Sequence, residues 1–139
     1  MRNIDIRDND IVYAQIYNLN IEGGIIFPTS SKSEMQCGFG TIFEKTSKKP
    51  HIHKILERNT QHTSEFFFIY EGSVTVTFYN KNEEVIAKEI LKAGMGFTQF
   101  FGGHGFVFAP NTKYIEIKQG PYIGSDDDKY FFEPYEERV

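Results

Sequence analysis

The chain has 139 residues and a net charge of −4, which argues against nucleic acid or an anionic membrane surface as its main partner. The single cysteine, Cys37, excludes an intrachain disulfide framework and a zinc or redox site built on paired cysteines. The N-terminus shows no apolar signal sequence, and no apolar run approaches the ~20 residues needed to cross a bilayer. We therefore expect one soluble, cytoplasmic domain over residues 1–139.

Aromatic residues make up 16% of the chain, and 12 glycines separate short apolar runs, a composition that favours an all-β domain. In chain order, strands are predicted at 11–17, 24–27, 37–43, 65–70, 74–79, 85–91, 97–101, 104–108 and 114–118. Strands at roughly ten-residue spacing with glycine turns are typical of an antiparallel sandwich or barrel. The acidic tail over residues 120–139 is expected either to wrap partly around the barrel or to form a mobile terminus.

Two of the four histidines form the sequence His51-Ile52-His53. If this segment is a strand, both imidazoles lie on one face with Cα atoms roughly 6.6 Å apart, close enough to share a metal ion. Taken alone, this pattern is a weak signal, and it is more often given by two surface histidines that flank an inward Ile52.

Two further polar residues lie within predicted strands. Glu65 opens an aromatic strand and shares a face with Phe67, so it is either a rim charge or a ligand. His104 has glycines on both sides and shares a face with Phe106. Its uncrowded position suits a ligand or a base, although a core histidine bonded to the backbone fits as well.

This arrangement resembles the cupin superfamily, whose first motif has the form HxH, a loop, a glutamate, six residues and a glycine. Here His51, His53, Glu65 and Gly72 match that motif, and a later glycine turn followed by His104 matches the second. The resemblance covers roughly residues 35–118. It implies a single-domain cupin antiparallel jelly-roll barrel in which His51, His53, Glu65 and His104 bind a metal ion.

The spacing departs from the simplest cupins in one respect that affects the ligand set. The loop from His53 to Glu65 is long, so Glu57 competes as the carboxylate ligand. Glu65 is preferred because it alone gives the six-residue gap to Gly72. His62 lies within this loop and is interpreted as a loop residue.

The strings HIHK, GGHGF and KQGPY are similar to those of small single-domain cupins associated with bacterial cell-surface polysaccharide biosynthesis. That likeness implies a metal-binding enzyme of the isomerase or epimerase type acting on a sugar or sugar nucleotide. The alternatives are an Fe(II) dioxygenase, a metal-free enzyme that uses His51 or His53 as base and a tyrosine as acid, and a non-catalytic sugar- or metal-binding regulatory cupin.

The chemistry of such a site and the positions of other residues at or near the predicted strands suggest further roles. The metal would be a divalent ion, Fe, Mn, Zn, Ni or Co, since three imidazoles and one carboxylate suit all of these. Candidates for a catalytic acid or base are Tyr70, Tyr79, Tyr114 and Glu116, and candidates for substrate binding are Phe67, Phe106 and Lys118. Because small barrels often pair their sheet edges across a two-fold axis, we expect a homodimer.

Overall fold

The structure is a computed structural model that describes residues 3–134. Within those residues the chain forms ten strands and one short helix. In chain order these are β1 (Ile4–Asp8), β2 (Ile11–Asn18), β3 (Gly24–Ile26), β4 (Phe39–Thr41), β5 (Glu65–Glu71), β6 (Ser73–Tyr79), β7 (Val85–Lys92), β8 (Met95–Gln99), β9 (Gly103–Phe108), β10 (Lys113–Lys118) and α1 (Ser125–Asp128). Across the same residues, no helix is long and apolar enough to cross a membrane.

The strands form two main antiparallel sheets and a small ribbon. The larger sheet has the order β1-β2-β8-β5-β10, the smaller has the order β7-β6-β9, and β3 pairs with β4. A tight turn at Gly72, where φ is 80°, connects β5 of the larger sheet to β6 of the smaller one. Within residues 3–134 the fold is therefore mostly β with antiparallel sheets, and these sheets do not close into a barrel.

The hydrophobic core lies between the two main sheets. Strand alternation turns Ile16, Phe67 and Phe97 of the larger sheet and Val76 and Phe78 of the smaller sheet into one buried cluster. The rings of Phe78 and Phe97 meet edge to face at 5.2 Å between centroids, a favourable aromatic geometry. The two sheets thus pack face to face, and residues on their inner faces come together whatever their separation in sequence.

The predicted strands agree with the structure to within a few residues, with two exceptions. The structure adds β1, an edge strand that the sequence did not predict. Its two isoleucines alternate with Asp5 and Arg7, a pattern that resembles a polar N-terminal segment. The strand considered for His51 to His53 is not formed, since residues 42–64 contain no strand or helix. Strand structure needs a neighbouring backbone to accept and donate hydrogen bonds, and no backbone between residues 3 and 134 pairs with this segment.

The C-terminal tail contacts the rest of the fold as far as it is described. The Lys118 Nζ atom lies 3.4 Å from an Asp128 carboxylate oxygen, and the rings of Phe132 and Tyr79 meet at 5.2 Å between centroids. The described part of the tail therefore follows the expectation that it wraps partly around the domain. Residues 135–139 of the tail lie outside the described residues.

Candidate functional site

Glu65 and His104 come together at one end of the space between the sheets. Glu65 is the first residue of β5, and His104 is the second residue of β9 in the opposite sheet. Their Oε2 and Nε2 atoms lie 3.3 Å apart, and the two side chains are 15% and 22% exposed. The pair is therefore shielded from bulk water and still within reach of it.

A third residue, Gln99, fixes the orientation of the imidazole. Its Nε2 donates a hydrogen bond to the carbonyl oxygen of Phe101 at 2.8 Å, which turns its Oε1 toward His104. That oxygen lies 2.7 Å from His104 Nδ1. Because an amide oxygen only accepts hydrogen bonds, Nδ1 must carry the proton, and Nε2 is left with its lone pair facing Glu65.

Burial disfavours charge on both members of the pair. It lowers the pKa of His104 from 6.5 to about 4, with a smaller contribution from the nearby positive charge of Lys129. Burial also raises the pKa of Glu65, helped by the negative charge of Glu116 and opposed by Lys118 and Lys129. Burial thus favours the neutral imidazole of His104 and shifts Glu65 toward its protonated form, in which the carboxyl group can donate a hydrogen bond to the unprotonated Nε2 of His104.

A row of aromatic rings leads from this pair to the surface. It runs from Phe97 through Phe67 and Phe106 to Phe108 and Tyr114, with successive ring centroids 5.4, 4.7, 5.4 and 5.0 Å apart. The imidazole of His104 lies 4.7 Å from the ring of Phe106. Phe97 and Phe67 are buried, whereas Phe108 and Tyr114 are exposed where β9 and β10 border the opening between the sheets. We call these five residues the aromatic row.

Charged side chains border the same opening. Lys118 is the cross-strand partner of Glu65, and its Nζ lies 4.9 Å from the centre of the Tyr122 ring as well as near Asp128. Although burial opposes it, the hydrogen bond and charge of Asp128 raise the pKa of Lys118. The lysine therefore keeps its positive charge at the rim, where it partly balances the nearby carboxylates.

The four residues expected to bind a metal ion are divided into two pairs. His51 and His53 lie in the exposed segment with ring centroids 5.1 Å apart, and the Nδ1 of His51 lies 3.3 Å from the Lys49 carbonyl oxygen. Within residues 3–134 no three histidine, cysteine or acidic side chains are grouped so that they could hold a metal ion. The donors of one chain, as arranged here, therefore do not fit a metal site, with either Glu65 or Glu57 as carboxylate, and metal binding stays a prediction.

The other candidate residues lie partly near the pair and partly away from it. Phe67, Phe106 and Tyr114 belong to the aromatic row, and Glu116 lies on the same face of β10 as Lys118. Tyr70 lies on the opposite face of β5 from Phe67 and is half exposed. The side chain of Tyr79 is buried against Phe132 of the tail.

Sequence reasoning missed Gln99 as a member of the site. It shares a face of β8 with buried Phe97 and is itself only 4% exposed. An amide on the inward face of an apolar strand needs a hydrogen-bonding partner there. A glutamine on the inward face of a predicted apolar strand was therefore the signal in the sequence that could have identified Gln99.

A separate cavity of about 660 Å³ lies near the outer face of the larger sheet, away from Glu65 and His104. The ring of His62 packs edge-on against Phe101 at 4.6 Å, and a Glu34 carboxylate accepts hydrogen bonds from the backbone nitrogens of Gln61 and His62. These contacts hold His62 at the edge of the cavity. The cavity is also lined by Tyr13, Gln15, Ser64 and Phe101.

We compared the chain with protein-family models, with curated proteins and with solved structures, and none of the three comparisons found a match.

Proposed function

We propose that the two facing sheets are an open form of a cupin-type jelly roll. Two observations support this. The glutamate that opens β5 and the late histidine of β9 meet on the inner faces, as the two cupin motifs require. The turn expected at Gly72 is present, with the positive φ that favours glycine.

We propose further that the protein is an isomerase or epimerase that moves a proton next to the carbonyl group of a sugar or sugar nucleotide. The observation that carries this proposal is the contact between Glu65 and His104, whose imidazole is fixed in one tautomer by Gln99, while burial shifts both groups toward their neutral forms. A neutral pair of this kind offers an acid and a base at the same point. Chemistry next to a carbonyl needs both.

The proton balance of the reaction is simple. His104 Nε2 takes the proton from the carbon beside the carbonyl, while the Glu65 carboxyl gives its proton to the carbonyl oxygen. A C–H bond breaks and an O–H bond forms, which yields a neutral enediol. Isomerisation follows when protonated His104 gives its proton to the former carbonyl carbon while the hydroxyl group on the neighbouring carbon gives its proton to the Glu65 carboxylate. Epimerisation needs a proton from a second acid on the opposite face of the enediol, while the enediol oxygen returns its proton to Glu65.

The surroundings of the pair suit such a substrate. Exposed aromatic rings such as those of Phe108 and Tyr114 provide flat apolar surfaces for a sugar face or a nucleobase. The positive charge of Lys118 at the rim is available to a phosphate group that displaces Asp128. Tyr114 and Glu116 remain the candidates for a further acid or base, since both lie on the inner face of β10.

A second candidate function is ligand binding without turnover. The observation in its favour is the 660 Å³ cavity, which none of the proposed catalytic residues lines. A cavity of this volume lies within the range of small-molecule sites. A metal-dependent isomerase or an Fe(II) dioxygenase would need a group of ligands that the described residues do not bring together, so no step is assigned to a metal.

The test is solvent deuterium exchange. The protein is incubated in deuterated water with a panel of nucleotide-linked and free keto and hydroxy sugars, and incorporation is followed by mass spectrometry. We expect exchange with at least one class of sugar, and a loss of about 100-fold or more in His104→Gln and Glu65→Gln, the usual range for removing a general base or acid.

The matched control is His62→Gln, which removes an imidazole outside the pair and should leave exchange unchanged. Full exchange in His104→Gln would contradict the proposed base. Thermal stabilisation by a sugar with no exchange from any substrate would instead favour the binding function.

A further inference from the structure

We propose that the cavity of about 660 Å³ near the outer face of the larger sheet binds a small planar organic anion, an aromatic ring that carries a phosphate or a carboxylate group. The inference rests on the second candidate function, ligand binding, and names the class of ligand. It is independent of the proposed proton transfer, because neither Glu65 nor His104 lines this cavity.

The first step concerns the apolar part of the cavity. Its apolar lining comes from the start of β2 and from the residues that follow β8, namely Ile11, Val12, Tyr13, Phe100 and Phe101. Tyr13 and Phe100 are almost completely buried, so this side of the cavity is packed interior. Small-molecule sites have volumes of roughly 300–1,000 Å³ and hold most of the ligand against apolar walls. The cavity therefore favours a ligand with a ring over one that is polar on every side.

The second step is that one aromatic ring in this lining is both fixed and accessible. The ring of Phe101 meets the ring of Tyr13 at 6.3 Å and that of His62 at 4.6 Å, nearly perpendicular to both. Phe101 nevertheless remains 37% exposed. A ring that is already held in place loses little freedom when a flat ligand packs against it. Phe101 is therefore a suitable platform for the ring of the ligand.

The third step concerns the charges that line the cavity. Lys32 and Lys81 are both exposed, and neither forms a salt bridge with any residue between positions 3 and 134. Two carboxylates also line the cavity. That of Glu34 already accepts hydrogen bonds from two backbone nitrogens of the 42–64 segment, which leaves Asp10 to face the two ammonium groups. The lining can thus take up a negative charge from the ligand.

The fourth step is that the wall carrying Lys32 is held in its shape by hydrogen bonds. The backbone nitrogen of Lys32 donates to Ser30 Oγ at 3.2 Å, and Gln36 Nε2 donates to the Ser30 carbonyl oxygen at 2.6 Å. Because the Ser30 hydroxyl oxygen accepts a hydrogen bond here, its own proton is available to an oxygen atom of the ligand. This wall therefore supplies a positive charge and a hydroxyl donor next to each other.

Together these features select one class of ligand. A ring beside Phe101 covers the apolar lining, and an acidic group on that ring reaches the ammonium groups of Lys32 and Lys81. A cation would meet the same two ammonium groups, and a neutral aromatic molecule would leave them without a partner. A phosphate and a carboxylate are both recognised by lysine and by a hydroxyl donor, so the experiment has to separate them.

Fluorescence titration with a pair of matched probes tests the proposal. Anilinonaphthalene sulfonate is a flat aromatic anion, and phenylnaphthylamine has the same rings without the charge. We expect saturable binding of the anion at one site per chain, and binding of the neutral probe that is at least about fivefold weaker, since two lysines contribute to the first and not to the second. Displacement of the anion by adenosine monophosphate would assign a phosphate ligand, and displacement by naphthoate a carboxylate ligand.

Lysine variants locate the charge. Lys32→Gln with Lys81→Gln should weaken the anionic probe by about fivefold and leave the neutral probe unchanged, because both side chains are exposed and each contributes a modest, screened attraction. The matched control is Lys88→Gln with Lys92→Gln, which removes two exposed lysines of β7 in the smaller sheet and should affect neither probe. Circular dichroism confirms that each variant folds.

Phenylalanine variants locate the ring. Phe101→Ala should weaken both probes by about tenfold, since it removes the platform against which their rings pack. It keeps the backbone carbonyl group that accepts the hydrogen bond from Gln99, so the orientation of His104 is retained. The matched control is Phe108→Ala. Phe108 is 40% exposed, close to the 37% of Phe101, but it belongs to the aromatic row and does not line the cavity.

Several results would overturn the proposal. Equal affinity for the two probes would remove the anion and leave ligand binding in place, whereas no binding of either probe would remove both. Weakening by Phe108→Ala and not by Phe101→Ala would place the probe on the aromatic row. Displacement by neither adenosine monophosphate nor naphthoate would exclude both acidic groups. None of these results bears on deuterium exchange by the Glu65–His104 pair, so this inference and the proposed isomerase or epimerase activity fail separately.

Discussion

His104 and Gln99 belong to different sheets, and their side chains meet at 2.7 Å across the interior of the domain. Gln99 is also the direct cross-strand partner of Glu65, the second residue that His104 contacts. The register between β5 and β8 therefore sets both contacts of the imidazole at once. A slip of one residue in either strand would turn that strand's partner, Glu65 or Gln99, to the outer face and leave His104 without it.

This arrangement predicts that Gln99→Leu changes the tautomer of His104. Leucine fills similar space but accepts no hydrogen bond, so the proton on Nδ1 loses its partner and the two neutral tautomers become mixed. The buried donor left without an acceptor should also lower the free energy of unfolding by about 1–3 kcal/mol. Nitrogen-15 NMR of the imidazole reports the tautomer directly.

Gln61→Leu is the control for that experiment, because it replaces an exposed glutamine of the 42–64 segment whose described contact is through its backbone nitrogen. It should leave the tautomer and the stability unchanged. A wild-type spectrum with the proton on Nε2 would show that Gln99 does not orient the ring as described.

Acidification provides the second prediction. Because the folded protein holds the pKa of His104 at about 4 against an ordinary 6.5, the unfolded chain binds more protons between these values. Stability from the neutral imidazole is present above pH 6.5 and is lost as the pH falls toward 4. As the pH falls from 6.5 to about 4, the free energy of unfolding of His104→Gln should therefore decrease by about 3 kcal/mol less than that of the wild type.

Glu65 acts in the opposite direction over the same acid range. Its folded pKa is raised, so the folded protein holds this proton more tightly, and lowering the pH adds stability that offsets part of the loss at His104. Glu65→Gln should therefore lose stability on acidification more steeply than the wild type. Urea unfolding at several pH values between 4 and 7 measures both slopes, and parallel curves for all three proteins would contradict the assignment.

The sequence predicts the strands of the second half well, because each one meets several local signals at once. In β6, for example, Val74, Val76 and Phe78 alternate with threonines between two turns. The same local signals place Glu65 and His104 within strands. Their meeting depends on two sheets packing face to face, and it was expected here from the family resemblance and not from any local pattern.

The sequence is a poor guide where structure depends on a neighbour outside the segment. His51-Ile52-His53 has the alternation of a strand, yet alternation supplies no hydrogen-bonding partner, and the part of the chain that the structure describes offers none. Gln99 shows the converse. Its side chain makes two specific hydrogen bonds, and their partners, Phe101 and His104, are defined only once the strands are placed.

The turn between β8 and β9 gives a third prediction. Gly102 has a φ of 70°, and a Cβ built there would clash with the Tyr79 carbonyl oxygen and the Tyr13 ring, since both lie closer than van der Waals contact allows. Gly102→Ala must therefore move backbone as well as adopt an unfavourable conformation, and we expect a loss of more than 2 kcal/mol in unfolding free energy.

The matched control is Gly124→Ala. Its φ of 107° is also positive, but nothing lies within 4 Å of the added methyl group, so it measures the conformational cost alone. Chemical denaturation of both variants separates the two contributions. Equal losses at the two positions would show that the close approach to Tyr79 adds no energy.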